Sequence, residues 1–334
     1  MSFVPGYNAG ILLLCHHSGG FYYWFPMILQ NTLSVVAFVG PETLPLHVAA
    51  EHGYYAREGL DVRYEAATGS IGQMVRLIDG DCDMVMTAID NIIAYNVGQG
   101  GVPADPLPNL AAFLGCASEP RPLIVLPEIS GLADLRGRRI AVDALNTGFS
   151  FLLRQILEDV GLGLTDYELI PVGAPPARWQ SMQDGDCAAA LLSKAFVVIA
   201  SAAGCHELPV HPDPWDCYQG GVFAARASWI AAHAADVSGF IRATLAATDW
   251  VLAPANRAKL PGLLMAHLPH MTDEAAAEAA DDLDSLLARD LPINIAGLRS
   301  VIALRKNYGS PPARLGGPDS YLDLSLFEGV MESR

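Results

Sequence analysis

Short apolar runs alternate with longer amphipathic runs along the chain from residue 32 onward. Strands that alternate with helices in this way indicate a parallel sheet with right-handed crossover connections. In the first part of the chain the pattern predicts strands over 32–39, 60–66 and 82–87, a helix over 46–55, and a helix from residue 70 to about residue 78.

The same order of elements returns in the middle of the chain. The helix that starts after residue 148 has its apolar residues three or four positions apart, which predicts one buried face. These residues are Phe149, Leu152, Leu153, Ile156, Leu157 and Val160. The other predicted elements here are strands over 139–143, 167–172 and 188–192, and a helix through Trp179 and Met182.

The tetrapeptide Asp-Gly-Asp-Cys occurs twice, starting at Asp79 and at Asp184. Each copy lies between a predicted helix and an apolar strand, where Asp and Gly are common turn residues. The two copies start 184 − 79 = 105 residues apart. Their matching context predicts two similar α/β lobes.

Two extended stretches, residues 120–129 and 218–225, are interpreted as the segments that cross between the lobes. Residues 229–308 are mainly of helical pattern. Lobe 1 is therefore predicted to be discontinuous, with residues 32–118 plus 226–334, and lobe 2 to contain residues 119–225. Residues 1–31 have a short apolar run but no basic start, and are interpreted as an N-terminal extension or a degenerate export segment.

Composition excludes several classes of function. Half of the residues are hydrophobic, so the chain can bury a large core, and its formal net charge of −16 argues against nucleic acid as a partner. Neither the six cysteines nor the nine histidines have the spacing of a metal site. Because Walker, nucleophile-elbow and dinucleotide motifs are absent too, no cofactor, metal or catalytic residue is predicted.

Candidate binding residues follow from the predicted sheets. Ligands of open parallel sheets bind beyond the carboxyl ends of the strands, where loops lead into helix N-termini. Five such loops carry glycine, hydroxyl, amide or charged residues, and we expect them to converge on one cleft. The candidate ligand-binding residues are Gly40, Glu42, Thr43, Thr68, Ser70, Thr87, Asp90, Asn91, Asn146, Thr147, Gly148 and Lys194.

Each candidate also has a purely structural explanation. Helix capping equally explains Ser70, Asn146 and Thr147, and Asp90 is equally well placed to start a helix together with the residues that follow it. Glu42 and Lys194 are equally explained as solvated charges. If Glu42 and Asp90 line the cleft, the ligand carries a cationic or hydrogen-bond-donating group, while Lys194 meets an anionic group.

Long segments of the sequence resemble one family. LPLHVAAEHGYYAREGLDVRYEAATGS with LIDGDCDMVMTAIDN, then LADLRGRRIAVDALNTG, then GGVFAARASWIAAHAADVSGFIRATLAATDWV are similar to solute-binding proteins of ABC transporters for nitrate, sulfonates, taurine and thiamine-pyrimidine precursors. The resemblance implies an α/β, two-lobed type II periplasmic-binding-protein fold. Each lobe is then a mainly parallel sheet flanked by helices, with the ligand cleft between the lobes.

The resemblance also implies a function. A protein of this kind binds one small polar or ionic metabolite and delivers it to a membrane permease, which would place it in the periplasm or another extracytoplasmic space. Two alternatives stay open at this point: an enzyme on the same fold, such as a chorismate-dehydratase-like lyase or a decarboxylase, or a ligand sensor. Either alternative would favour the cytoplasm.

Overall fold

The computed structural model describes residues 31–116, 122–192, 195–210, 218–268 and 271–334. Nearly the whole predicted N-terminal extension and the candidate Lys194 lie outside these ranges. None of the helices within them is both long enough and apolar enough to cross a lipid bilayer.

Strands in the described residues form two sheets. They are β1 (Asn31–Ala37), β2 (Leu60–Ala66), β3 (Met84–Ala88), β4 (Leu110–Gly115), β5 (Leu123–Val125), β6 (Arg139–Val142), β7 (Glu168–Pro171), β8 (Ala189–Leu191), β9 (His206–Glu207) and β10 (Gly221–Arg226). The first sheet has the order β2-β1-β3-β10-β4 and the second β7-β6-β8-β5-β9. In each sheet three neighbouring strands are parallel, namely β2, β1 and β3 in the first and β7, β6 and β8 in the second.

Helices cover both sheets. They are α1 (Leu44–Glu51), α2 (Tyr54–Arg57), α3 (Ser70–Asp79), α4 (Ile89–Asn96), α5 (Gly148–Asp159), α6 (Pro175–Gln183), α7 (Ala195–Ala202), α8 (Ala227–Ala232), α9 (Ala234–Val251), α10 (Leu260–His267), α11 (Asp273–Leu286), α12 (Ile295–Tyr308) and α13 (Ser325–Glu332). Short 3-10 turns lie at Pro41–Thr43, Leu132–Leu135, Pro254–Lys259 and Pro318–Ser320.

The α/β architecture with two mainly parallel sheets confirms the fold class predicted from the sequence. Strand β2 has the predicted bounds, and the other predicted strands lie within about two residues of theirs. The predicted helix over 46–55 is wrong in one respect, because it is broken between α1 and α2. Gly53 lies there with a φ of 69°, a left-handed conformation that interrupts an α-helix.

The two Asp-Gly-Asp-Cys turns have the same structure. Gly80 and Gly185 both adopt a left-handed conformation, with φ values of 87° and 75°. In the first turn the amide of Asp81 donates to the carbonyl of Arg76 over 2.8 Å, and in the second the amide of Asp186 makes the equivalent bond over 2.9 Å. This correspondence confirms that the repeated tetrapeptide marks equivalent positions in two similar units.

The chain returns to the first sheet through β10. The stretch 218–225 was interpreted as a crossing segment, but most of it is this strand, which lies antiparallel between β3 and β4. The crossing is therefore complete before residue 221. The exact division into lobes at 118/119 and 225/226 stays a prediction.

Helix α5 packs against both lobes. Leu153 and Leu157 belong to the core of the second sheet, whereas Leu152 and Ile156 pack in a cluster with residues of α4 and α12. The predicted single buried face is therefore divided between two partners. The prediction is wrong for Val160, which ends the helix and is 47% exposed.

Candidate ligand-binding cleft

The candidate loops follow the carboxyl ends of parallel strands. Because β1, β2 and β3 run in the same direction, residues 38–43, 67–70 and 89–91 lie at one edge of the first sheet. Residues 143–148 follow β6 and lie at the corresponding edge of the second sheet. Four of the five predicted loops thus lie at these edges, whereas the fifth, residues 193–194, lies outside the described residues.

The loop after β1 forms a tight turn. The hydroxyl of Thr43, which is fully buried, donates to the carbonyl of Gly40 over 2.7 Å. The carboxylate of Glu42 folds back over Gly40 so closely that a Cβ there would collide with it. Burial, and then the charge of Glu42, raises the pKa of the nearby Tyr64 to about 12. Glu42 is therefore a partly buried charge, not a solvated one.

The loop after β2 presents polar groups without capping its helix. Gly69, in an extended conformation, is the N-cap of α3, and no side chain caps this end. Ser70 is the first helical residue, so the explanation of Ser70 as an N-cap is wrong. Thr68 is exposed at the same edge. The hydroxyl groups of Thr68 and Ser70 therefore remain candidates for solute contact.

The loop after β3 is largely closed on itself. The side-chain amide of Asn91 donates to the hydroxyl of Thr87 over 2.9 Å, and Thr87 is only 5% exposed. Asp90 is 2% exposed, as the second residue of α4. Its carboxylate points to the other lobe.

Asp90 forms a buried ion pair with Arg305 of α12. The Nε of Arg305 lies 2.5 Å from Oδ1 of Asp90, and Nη2 donates to Oδ2 over 2.6 Å. Arg305 is completely buried and also donates to Oε1 of Gln99 over 3.0 Å and to the carbonyl of Asn146 over 3.1 Å. A buried arginine is stable only with such partners, because an isolated charge in the interior is strongly unfavourable.

The same carboxylate bonds to the second lobe. Oδ2 of Asp90 accepts a hydrogen bond of 2.7 Å from the amide of Gly148, the first residue of α5. A Cβ at Gly148 would lie 2.9 Å from Cβ of Asp90 and 2.5 Å from Oη of Tyr218, so only glycine permits this approach. The edges of the two sheets therefore meet at Asp90 and Gly148.

Asn146 and Thr147 support this junction from the second lobe. The side-chain amide of Asn146 donates to the carbonyls of Gln99 and Ser310, over 3.0 and 2.9 Å. Thr147 is the N-cap residue of α5, but its hydroxyl donates to the carboxylate of Asp143 over 2.9 Å and does not cap the helix. Asn146 is thus a contact between the lobes.

The structure changes the role expected for Asp90. Its carboxylate accepts from Arg305 and Gly148, so in this state it is not available to a cationic group of a ligand. The partners Gln99 and Arg305 were not found by sequence reasoning, because no local pattern links them to residue 90. The local signal that could have indicated a buried ion pair is Arg305 itself, an arginine in the last turn of a predicted apolar helix.

Further polar side chains lie at the two sheet edges. Gln73 of α3 is 2% exposed and donates to the carbonyls of Val36 and Met86, over 2.9 and 3.0 Å. At the other edge, Arg178 of α6 is 6% exposed and donates to the carbonyl of Leu191 at the end of β8. Sequence reasoning missed both, since each occupies a helix position that also suits a surface residue.

Exposed apolar side chains lie in or directly beside three of the same loops. Val39, Ile71 and Leu145 are 45%, 48% and 51% exposed. The edges thus combine hydroxyl and amide groups with apolar surface. Within the described ranges, no group of three or more His, Cys, Asp or Glu side chains is arranged to hold a metal ion.

Comparisons with known proteins point to one family. A model of the family described as NMT1/THI5-like matches residues 40–258. These 219 residues include the candidate loops of both sheets and the junction between Asp90 and Gly148. No curated protein sequence matches the chain.

Solved structures with the same fold are numerous. The periplasmic nitrate-binding protein of Synechocystis PCC 6803 has 12% identity and a TM-score of 0.72, with 91% of this chain and 89% of that one covered. The alkanesulfonate-binding protein of Xanthomonas axonopodis pv. citri, bound to MOPS, has 15% identity and a TM-score of 0.67, with 87% and 97% covered. A ligand-binding component of an ABC-type import system from Staphylococcus aureus has 12% identity and a TM-score of 0.70, with 90% and 99% covered. This likeness confirms the two-lobed periplasmic-binding-protein fold.

Proposed function

Because the chain belongs to the NMT1/THI5-like family, we propose that it binds one small polar or ionic solute between its two lobes and delivers it to the permease of an ABC-type importer. The observation that carries this proposal is the contact of Asp90 with Gly148 over 2.7 Å. It brings the loop-bearing edges of two sheets face to face, which is where ligands of such sheets bind.

The mechanism we propose is closure of the lobes around the solute. A solute that contacts both edges makes more contacts in the closed arrangement than in the open one. This difference in contacts couples solute binding to closure of the lobes. The hydroxyl groups of Thr68 and Ser70 contribute from lobe 1, with Val39, Ile71 and Leu145 against the apolar part of the solute.

The solute class we propose is a nitrate-, sulfonate- or aminopyrimidine-like molecule. The first two are the ligands named for the structural neighbours from Synechocystis and Xanthomonas. Delivery to a permease implies a location outside the cytoplasm. The permease itself is part of the proposal, supported by the import-system component of Staphylococcus aureus that shares the fold.

A ligand screen tests the proposal directly. Protein stripped of bound molecules is mixed with nitrate, alkanesulfonates, aminopyrimidines and aromatic acids, and its Tm is measured with each. A solute present at about 100 times its Kd stabilises the folded state by about 2.7 kcal/mol, a Tm rise of several degrees. Mass spectrometry of the recovered solute distinguishes binding from catalysis: an unchanged molecule supports transport, whereas a converted molecule contradicts it and favours an enzyme.

A pair of serine variants locates the site. Ser70→Ala removes a hydroxyl at the edge of the first sheet and is expected to raise the Kd of the solute about fivefold to tenfold, the loss of one hydrogen bond. Ser333→Ala removes a hydroxyl at the end of α13 that donates to the carbonyl of Val330, on a helix that packs against α9 and β4, and serves as the control. Equal Kd values for both variants would place the solute elsewhere.

A further inference from the structure

Asp90 lies where an external anion would be expected to bind. Its Oδ2 accepts from the amide of Gly148, the first residue of the 12-residue helix α5. The N-terminus of a helix has unsatisfied amide groups and a partial positive charge, and it binds carboxylate and phosphate groups in many proteins. In this chain a side chain of the other lobe fills that position.

Arg305 completes a binding site for a carboxylate. Its guanidinium is 0% exposed and contacts both oxygens of Asp90, over 2.5 and 2.6 Å. A planar fork of two N–H donors is the arrangement that binds carboxylate, nitrate and sulfonate groups best. Arg305 and the amide of Gly148 therefore bind the carboxylate of Asp90 from two sides, while the carbonyl of Asn146 accepts from the same guanidinium.

We infer that Asp90 is a specificity-determining residue that acts as an internal anion and excludes an anionic group of the solute from the N-terminus of α5. Two physical effects produce the exclusion. The carboxylate occupies the donors that an anion would need, and its negative charge repels a second anion at short range. The cationic fork of Arg305 is thereby neutralised.

The inference deepens the proposed function, and one of its consequences rests on that function. If the solute carries a nitrate or sulfonate group, that group binds at a distance from Asp90, and the neutral or apolar part of the solute faces the junction. The chemistry of the junction itself does not depend on any solute, so the two proposals fail independently.

Chemical rescue tests the junction. Asp90→Ala leaves Arg305 buried without its carboxylate, which is expected to lower Tm by about 10 °C. Formate, exchanged for chloride at constant ionic strength, is expected to raise the Tm of this variant with saturation, and to leave the wild type unchanged. The double variant Asp90→Ala/Arg305→Met is the matched control, because it keeps the truncation at residue 90 and lacks the cation. Rescue in Asp90→Ala alone supports the inference, and equal stabilisation of both variants overturns it.

A second variant decides the matter if Asp90→Ala does not fold. Asp90→Asn keeps the shape of the side chain and removes its charge. Its affinity for nitrate and methanesulfonate, measured by titration calorimetry, is expected to be at least tenfold higher than that of the wild type, because the repulsion is gone. Unchanged affinity would show that the charge at residue 90 does not select against anions.

Discussion

The hydroxyl of Tyr308, at the end of α12, donates a hydrogen bond of 2.6 Å to the carboxylate of Glu158 on α5. The guanidinium of Arg154 lies over the ring of the same tyrosine, 4.3 Å from its centre. Burial, and then the bond to Glu158, raises the pKa of Tyr308. Together with the bond from the amide of Gly148 to Asp90, this contact fastens α5, the first helix of the second lobe, to the first lobe.

Removal of the Tyr308 hydroxyl is therefore expected to loosen α12 from α5. Tyr308→Phe keeps the ring over Arg154 and removes only the hydroxyl, which lies within hydrogen-bond distance of Glu158 and of Oε1 of Gln155, so the free energy of unfolding is expected to fall by about 0.5–1.5 kcal/mol. Urea unfolding measures this value. Tyr54→Phe, on α2 beside Arg57, is the control and is expected to change it by less. If the Tyr308→Phe protein is as stable as the wild type, the Tyr308 hydroxyl does not contribute to the free energy of unfolding.

The close approach at Gly148 predicts a different effect. Gly148→Ala places a methyl group 2.9 Å from Cβ of Asp90, which forces the lobes apart at their junction. The expected cost is about 1–3 kcal/mol of unfolding free energy, the range for overpacking, with a matching loss of solute affinity. Both are measured by thermal unfolding with and without solute.

The control for this variant is another helical glycine. A Cβ at Gly262 of α10 meets nothing within 4 Å, so Gly262→Ala is expected to stabilise the protein by about 0.5–1 kcal/mol. A stabilising effect of Gly148→Ala as well would mean that the junction is open enough to accept a methyl group.

The equivalence of the two Asp-Gly-Asp-Cys turns is also testable. Gly80 and Gly185 have φ values of 87° and 75°, which cost roughly 1–2 kcal/mol for a residue with a Cβ. Gly80→Ala and Gly185→Ala are therefore expected to lose similar amounts of unfolding free energy, measured in urea. A loss at only one of them would contradict their structural equivalence.

His47 makes the stability of the first lobe depend on pH. Its ring stacks on that of His267, with 4.0 Å between the ring centres, and touches the edge of Tyr64. Burial, followed by repulsion from His267, lowers the pKa of His47 from 6.5 to about 4, although Glu51 opposes the shift. The unfolded chain then binds more protons than the folded protein between these pH values. The contribution of His47 to the free energy of unfolding is fully present above about pH 6.5 and is lost as the pH falls to about 4.

A substitution isolates this contribution. His47→Phe keeps a ring for stacking and cannot be protonated, so its Tm is expected to fall less than that of the wild type between pH 6.5 and pH 4. Thermal unfolding across this range checks the expectation, with the difference between pH 7 and pH 8 as the internal control. Parallel Tm curves for the two proteins would show that His47 does not titrate in this range.

Local patterns in the sequence predicted many of the strands and helices of the fold. Strand β2 has the predicted bounds because turn residues lie on both sides of its apolar run, and α3 starts at Ser70 as predicted. Strand β4 (Leu110–Gly115) was not predicted, since all six of its residues are buried and the run has no alternation to distinguish strand from helix. The four described candidate loops lie at the expected sheet edges because parallel strands end at one edge of their sheet.

The sequence by itself determined the α/β alternation, the two equivalent turns and the edge of each sheet where polar residues gather. These features depend on near neighbours, whose spacing is visible along the chain. Only the tertiary structure decided what Asp90 contacts, because its partner Arg305 lies 215 residues away and Gly148 lies 58 residues away. Whether a charge is paired depends on which groups the fold brings within about 3 Å, and hydrophobic spacing contains no information on that distance.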